Sequence, residues 1–257
     1  MELYEVGAQN QGNTAKLHIL EELWKIKSKK LKVLDIGCAG PLPLQFWEPI
    51  FNNGMKFEFH GVDVAKVDEA ERIAKEKKWD VKLYTLSAYE LDKVFTEPSF
   101  DVVVSTQVLE HVTDRKKFVE QLASVTKKGG VVYLSMDSGH AEHNHHNHGA
   151  FEDPIGFIKC IGKDILVHFA GMHRYYDTPV KEGEIEPVFR DYGFEIEEKR
   201  FYNVHPLKRI SSDYKGELKP LMMRNWKMYE DLLNENKEFL DANKHYFLAL
   251  YYKLKKL

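Results

Sequence analysis

The chain alternates short apolar runs with stretches whose apolar positions recur every three to four residues, the pattern of strands alternating with helices. Val33, Leu34 and Ile36 form a near-continuous hydrophobic run around Asp35, as expected of a central parallel strand covered on both faces. Similar runs predict strands at residues 57–64, 81–86, 100–105 and 131–136. The intervening stretches read as helices. Asn13 and Thr14 can cap a helix to residue 27 that buries Leu17, Leu20, Leu23 and Trp24 and packs at the edge of the sheet. Leu44, Phe46, Trp47, Ile50 and Phe51 predict a second, stopped by Asn52, Asn53 and Gly54. A charged helix covers residues 67–78, and Asp114 caps another that buries Phe118, Leu122 and Val125 and ends at Gly129 and Gly130. Strand and helix alternating in this way predict an α/β, doubly wound sheet with its ligand at the carboxyl ends of the strands.

Composition narrows the function classes. At 257 residues, 43% hydrophobic and 30% charged, the chain is long enough for one domain, residues 1–257, with insertions. A net charge of -3 supplies no argument for a polyanion, so nucleic acid is not expected as a partner. Cys38 and Cys160 are too few for a disulfide framework or a cysteine metal cluster, and a reducing, cytoplasmic setting fits. No segment approaches the roughly 20 apolar residues that span a bilayer, and the N-terminus lacks an apolar signal core, so a soluble protein is expected.

The chemistry starts where the first strand stops. Gly37, Cys38, Ala39 and Gly40 allow a tight turn and a close ligand approach, and Pro41 suits the first turn of the next helix. A dinucleotide-binding GxGxxG loop would need glycine at positions 39 and 42, where Ala39 and Leu42 stand. Asp35 would repel a pyrophosphate but can hold an ammonium group, directly or through water. Asp63 ends the second strand, where a carboxylate can accept both hydroxyls of a ribose; its other reading is a turn or cap residue.

The run VLDIGCAG resembles the first motif of the class I S-adenosylmethionine (SAM) methyltransferases, with Ala39 and Pro41 in place of two of its glycines. FDVVVSTQVLEHV, residues 100–112, is similar to the fourth motif of the small-molecule methyltransferases related to the ubiquinone and menaquinone biosynthesis enzymes. The resemblance covers residues 31–137 and, more loosely, 173–203. It implies a Rossmann-like seven-stranded sheet of order 3-2-1-4-5-7-6, with strand 7 antiparallel, in which residues 194–202 and 245–253 form the last two strands. It also implies SAM as cofactor and a small-molecule methyl acceptor. The cofactor would be held by Asp35, Gly37, Cys38, Ala39, Gly40, Asp63, Val64, Ser87, Ala88 and Gln107. Ser87 stands where relatives usually carry an Asp for the adenine amino group; it reads equally as a cap.

If the acceptor is a phenol or alcohol, a base must take its proton, and a histidine titrating near neutrality suits that role. His111, beside Glu110, is the first candidate and His173 the second; the other reading of His111 is a histidine packed at a helix start. Some relatives bind a divalent cation through ExxEH, but Gln107 replaces the first carboxylate, so no metal is assigned. Residues 137–172 form a lid-like insertion carrying His140, His143, His145, His146 and His148, whose spacing matches no structural zinc pattern. His140, His173 and Tyr176 are the expected substrate contacts. Residues 204–244 form a second, helical insertion, in which Leu221, Met222, Trp226, Tyr229 and Leu232 read as core or as a homodimer contact. The competing functions are a non-catalytic SAM- or metal-binding regulator and a nicotinamide-dependent oxidoreductase.

Overall fold

The computed structural model describes residues 13–26, 30–38, 46–52, 57–65, 67–141, 180–207 and 218–257. Its seven strands form one sheet in the order β3-β2-β1-β4-β5-β7-β6, the order implied by the resemblance. β1 (Leu31–Ile36), β2 (Phe57–Asp63), β3 (Val81–Thr85), β4 (Phe100–Thr106) and β5 (Thr126–Asp137) run parallel. β7 (Phe247–Lys256) is antiparallel to both of its neighbours, β5 and β6 (Phe194–Val204). The helices are α1 (Thr14–Lys25), α2 (Glu48–Asn52), α3 (Asp68–Lys77), α4 (Leu91–Val94), α5 (Arg115–Val125), α6 (Glu182–Asp191), α7 (Leu218–Glu235) and α8 (Lys237–Asn243).

The unbroken apolar runs follow from two cores. Leu34, Ile36, Val103 and Leu134 face α5 and α6, burying Phe118, Leu122 and Phe189. Val33, Val102, Val104 and Tyr133 face the opposite layer, with Ile19, Leu20, Leu23, Trp47 and Ala70. Successive strand residues point to opposite faces, so a strand covered on both sides must be apolar at nearly every position. The predicted caps are present: Asn13 accepts the Lys16 N–H at 3.1 Å, and Asp114 accepts the Lys117 N–H at 2.9 Å.

Several expected details change. α1 packs against β5, β7 and the edge strand β6 as well as α7, so it covers the antiparallel end of the sheet including its edge. It buries Leu17, Leu20 and Leu23 and leaves Trp24 39% exposed. α5 ends at Val125, before the expected glycines, because the chain passes directly into β5. Phe100 pairs with Thr126 and Val102 with Val131, so residues 127–130 bulge out of the ladder. Gly129 allows that bulge with φ of 76°, and a Cβ on Gly130 would lie 2.9 Å from the Lys127 carbonyl oxygen.

The second insertion is helical, but its buried face is rotated from the expected stripe. Met223, Trp226, Lys227 and Glu230 are buried, whereas Leu221, Tyr229 and Leu232 are exposed. The polar pair wins the interior because α1 and β6 supply its partners. No helix among the described residues is long and apolar enough to cross a membrane.

Candidate functional site

A cleft opens at the carboxyl ends of the parallel strands, where a doubly wound sheet binds its ligand. Ile36 ends β1 and Gly37 follows it, Val62 and Asp63 end β2 and Val64 and Ala65 follow it, and residues 86–89 follow β3. Gln107, Val108, His111, Val112 and Thr113, after β4, form the remaining wall. Gly37 has φ of 89°, and a Cβ there would come within 2.5 Å of the Val108 side chain. A glycine is therefore required both by the backbone and by the space, and it leaves main chain accessible at the cleft.

The carboxylate of Asp63 is fixed on the wall by its own turn: Oδ1 accepts the Ala65 N–H at 2.8 Å. The turn reading of this residue thus holds. Ser87 likewise accepts the Tyr89 N–H at 3.2 Å, so its hydroxyl orders the loop that lines the cleft. Val64 and Ala88 also lie on the wall. Asp63 and Ser87 place acceptors suited to hydroxyl and amino donors in one cleft with the Gly37 backbone, which fits a nucleoside-containing ligand such as SAM.

Asp35 lies deeper. It is 5% exposed and accepts the Trp47 Nε1–H at 2.7 Å. Burial pushes its carboxyl up to about 7, against the indole hydrogen bond and the charge of Lys16. Burial lowers the Lys16 ammonium, which Asp35 and Glu110 draw back up. Lys16 is thus electrostatically coupled to Asp35 and Glu110, although sequence reasoning missed it. Its signal is weak: it is the one polar position between the buried Ala15 and Leu17 of α1. Asn13 was legible only as a cap, yet its Nδ2 also donates to Gln107 Oε1 at 3.4 Å.

Cys38 does not present its thiol to the cleft. The side chain is buried against Gly61, where an added Cβ would meet Sγ at 2.5 Å, and burial raises the thiol's pKa. The tight strand packing needs a small partner there, so only the main chain of Cys38 is near the turn.

After β4 the chain turns sharply. Gln107 takes φ of 57°, its N–H reaches the Ser135 carbonyl at 2.7 Å, and Leu109–His111 form a single 3₁₀ turn. This turn sets His111 half-buried on the wall and Glu110 in the interior, 1% exposed. Glu110 is absent from the lining; its charge acts on Lys16 instead. His140 is also separate from the cleft wall, with Nε2 3.5 Å from Glu182 and its ring edge-on to Phe201. Ala39, Gly40, His143, His145, His146, His148, His173 and Tyr176 lie outside the described residues. Among the described residues, no group of three or more His, Cys, Asp or Glu side chains is placed to hold a metal ion.

Comparison with known proteins agrees with this geometry. The family model for a methyltransferase domain matches residues 27–183. The chain belongs to that family, and its sheet and cleft are those of a class I SAM-dependent methyltransferase. It is 26% identical over 189 residues to the ubiquinone biosynthesis O-methyltransferase of Thiobacillus denitrificans, covering 70% of this chain and 71% of that enzyme. A match to the enzyme of the same name from Pelagibacter ubique is 30% identical over 109 residues and spans 42% of each chain. Among solved structures, a SAM-dependent methyltransferase from Archaeoglobus fulgidus superposes with a TM-score of 0.56 at 14% identity, over 97% of both chains. Phosphoethanolamine N-methyltransferase 2 of Haemonchus contortus, in complex with SAM, gives a TM-score of 0.57 at 19% identity, over 94% of this chain and 52% of that one. At these identities the structures speak for the fold alone.

Proposed function

We propose that this chain, as one domain over residues 1–257, methylates an oxygen of a small-molecule acceptor. The observation that carries the reading is the single cleft that gathers Gly37, Asp63, Ser87 and His111 from four different strand ends. The O-methyltransferase relatives support the choice of oxygen. When bound, SAM supplies an electrophilic methyl group on a sulfonium. Asp63 accepts hydrogen bonds from its ribose hydroxyls, the Gly37 turn admits it, and the loop at Ser87 and Ala88 receives the adenine. Asp35 and Lys16 bear opposite charges suited to the ammonium and carboxylate of its amino-acid end.

Methyl transfer depends mainly on alignment and on exclusion of water. An acceptor hydroxyl also has to lose its proton, and His111 takes it at a ring nitrogen as the oxygen becomes a nucleophile. Glu110, the buried neighbour of His111 in the chain, is absent from the cleft lining and acts through its charge. The acceptor is read as a small molecule, in keeping with a net charge of -3, and the setting as cytoplasmic, in keeping with only two cysteines. The exposed Leu221, Tyr229 and Leu232 of α7 are the surface a homodimer would use.

Calorimetry with SAM on the parent and on Asp63→Ala tests the binding half. The variant should bind about 1.5–3 kcal/mol more weakly, the range for hydrogen bonds to a charged group. A folded Asp63→Ala that binds SAM as tightly as the parent would remove the assignment. Turnover with catechol or phenol acceptors separates an enzyme from a regulator that binds SAM without reacting.

A further inference from the structure

The helical insertion between β6 and β7 sends one carboxyl group into the core beneath the start of α1. Glu230 of α7 is fully buried, and its Oε1 accepts the Val204 N–H and the Trp226 Nε1–H, each at 2.6 Å. Its Oε2 meets the hydroxyl of Thr14, the first residue of α1. Thr14 is also tied to Asn203 of β6: Asn203 Oδ1 accepts the Thr14 N–H at 2.9 Å and lies 3.0 Å from Thr14 Oγ1. The Asn203 N–H closes the cluster by donating to Thr14 Oγ1 at 3.2 Å. Asn203 holds φ of 60°, a costly backbone for a residue other than glycine, and that conformation brings its N–H and its side chain together onto Thr14.

Counting protons fixes the form of Glu230 that this cluster satisfies. Thr14 has one hydroxyl proton, and two oxygens, Asn203 Oδ1 and Glu230 Oε2, lie within its reach. A neutral Glu230 resolves the conflict, because its acid proton goes to Thr14 Oγ1 and the hydroxyl is then free to donate to Asn203. An ionised Glu230 makes both oxygens compete for that single proton, and one tie between β6 and α1 is lost. Burial raises the Glu230 carboxyl to about 7, so the switch between these forms falls near neutrality.

The cluster borders the proposed cofactor site through one residue. Asn13, immediately before Thr14, joins Gln107 of the cleft wall and caps the turn that carries Lys16. We propose that Glu230 is a positioning residue of the cofactor site, acting through Thr14 to hold Asn13 and Lys16 at the amino-acid end of the ligand. The inference rests on the reading of that cleft as the SAM site. It gives the insertion a function: α7 locks the helix whose N-cap, Asn13, reaches the cleft wall at Gln107.

Other ionisable groups on the packed elements form a separate network. Glu21 and His18 of α1, Glu198 and Arg200 of β6, and Lys227 and Asp231 of α7 pair among themselves. These groups, together with Asp35, are common to parent and variant, so a ratio between the two proteins isolates Glu230. Its folded-state pKa is raised, so the neutral, tied form prevails below about pH 7 and is lost as the pH rises through that value.

The experiment is calorimetric binding of S-adenosylhomocysteine to the full chain and to Glu230→Gln, Glu230→Ala and Asp63→Ala, at about pH 6 and about pH 8.5. Glu230→Gln keeps a donor for Thr14 at both pH values. It should match the parent at the lower pH and bind about five- to tenfold more tightly than the parent at the higher one. Glu230→Ala should bind about tenfold more weakly at the lower pH while still melting cooperatively. The same ratio of Glu230→Gln to parent at both pH values overturns the proposal, even if Glu230→Ala does not fold. A folded Glu230→Ala with parental affinity overturns it as well. If Asp63→Ala loses affinity in those cases, only the positioning role fails; if Asp63→Ala binds like the parent, the SAM-site reading fails and takes the proposal with it.

Discussion

The two ends of the sheet are built by different physics. At the parallel end, β1, β2, β3 and β4 meet helices mainly through apolar side chains, aromatic and aliphatic, with His60 and Asp35 as buried polar exceptions, and open the cleft at their carboxyl ends. At the antiparallel end, α1 and α7 cover β6 and β7 with His18, Lys227 and Glu230 buried among Tyr202, Tyr251 and Trp226. Hydrocarbon packing fixes a backbone without directional demands, which suits strands that need only present their ends to a ligand. Buried polar groups demand particular partners, which suits an inserted helix that must seat in one register. The lesson is a division of labour: one end presents the chemistry, and the other fixes the helix that borders it.

The largest expected effect breaks this comparison on the parallel side. His111→Ala should lower turnover on a phenolic acceptor by about 100- to 10,000-fold, the usual contribution of a general base, with SAM affinity nearly unchanged. The melting temperature should also stay close to the parent's, since His111 is only half-buried on the cleft wall. The parent's rate should fall as the pH drops far enough to protonate the imidazole. Steady-state kinetics against pH is the check; equal turnover of variant and parent would remove His111 from the reaction.

Lys227 is the corresponding test at the antiparallel end. Its ammonium is almost completely enclosed, 2.6 Å from Asp231 Oδ2, 3.0 Å from Glu21 Oε2 and over the Tyr202 ring. Lys227→Ala leaves two carboxylates facing each other without their shared cation. Removing one partner of a buried pair costs about 3–5 kcal/mol, and here about 3 kcal/mol is expected because both acids keep some contact with water. Urea unfolding should show this loss. Activity per folded molecule should change far less than in His111→Ala, and an equal fall in both would erase the distinction between the two ends.

The same division explains what the sequence disclosed. β1 and β4 were legible within a residue or two because a strand covered on both faces is apolar at nearly every position, and β2 and β3 from shorter apolar runs interrupted by polar residues. Asn13 and Asp114 were legible as caps because capping is a local interaction. Gly37 and His111 were legible because family motifs place them at strand ends, and Asp63 because doubly wound folds set a carboxylate at the end of the second strand. The buried face of α7 was not, since periodicity counts Lys227 and Glu230 as solvent-facing and cannot see Thr14 or Glu21 more than two hundred positions away. Lys16 escaped for the same reason: its partners, Asp35 and Glu110, come from the ends of two other elements. The misplaced start of β5 has a local cause, as Gly129 and Gly130 serve a bulge as readily as a helix stop.

The smallest effect sharpens the contrast by holding distance constant. Arg72 Nη1 lies 2.6 Å from Glu76 Oε1 on α3, the same separation as Lys227 Nζ from Asp231 Oδ2. Arg72 and Glu76 are each 60% exposed, whereas Lys227 is 2% exposed at its side chain. Water screens the exposed pair and solvates either partner when the other is removed, and ordering two long side chains costs entropy. Arg72→Ala should therefore change stability by about 0.3–0.5 kcal/mol, the range for helical pairs four residues apart. Salt should reduce even that difference, while the Lys227→Ala loss persists because burial limits screening. Urea titrations of both variants at low and high salt measure this directly. A loss of comparable size from Arg72→Ala would mean that separation, and not burial, sets the strength of these pairs.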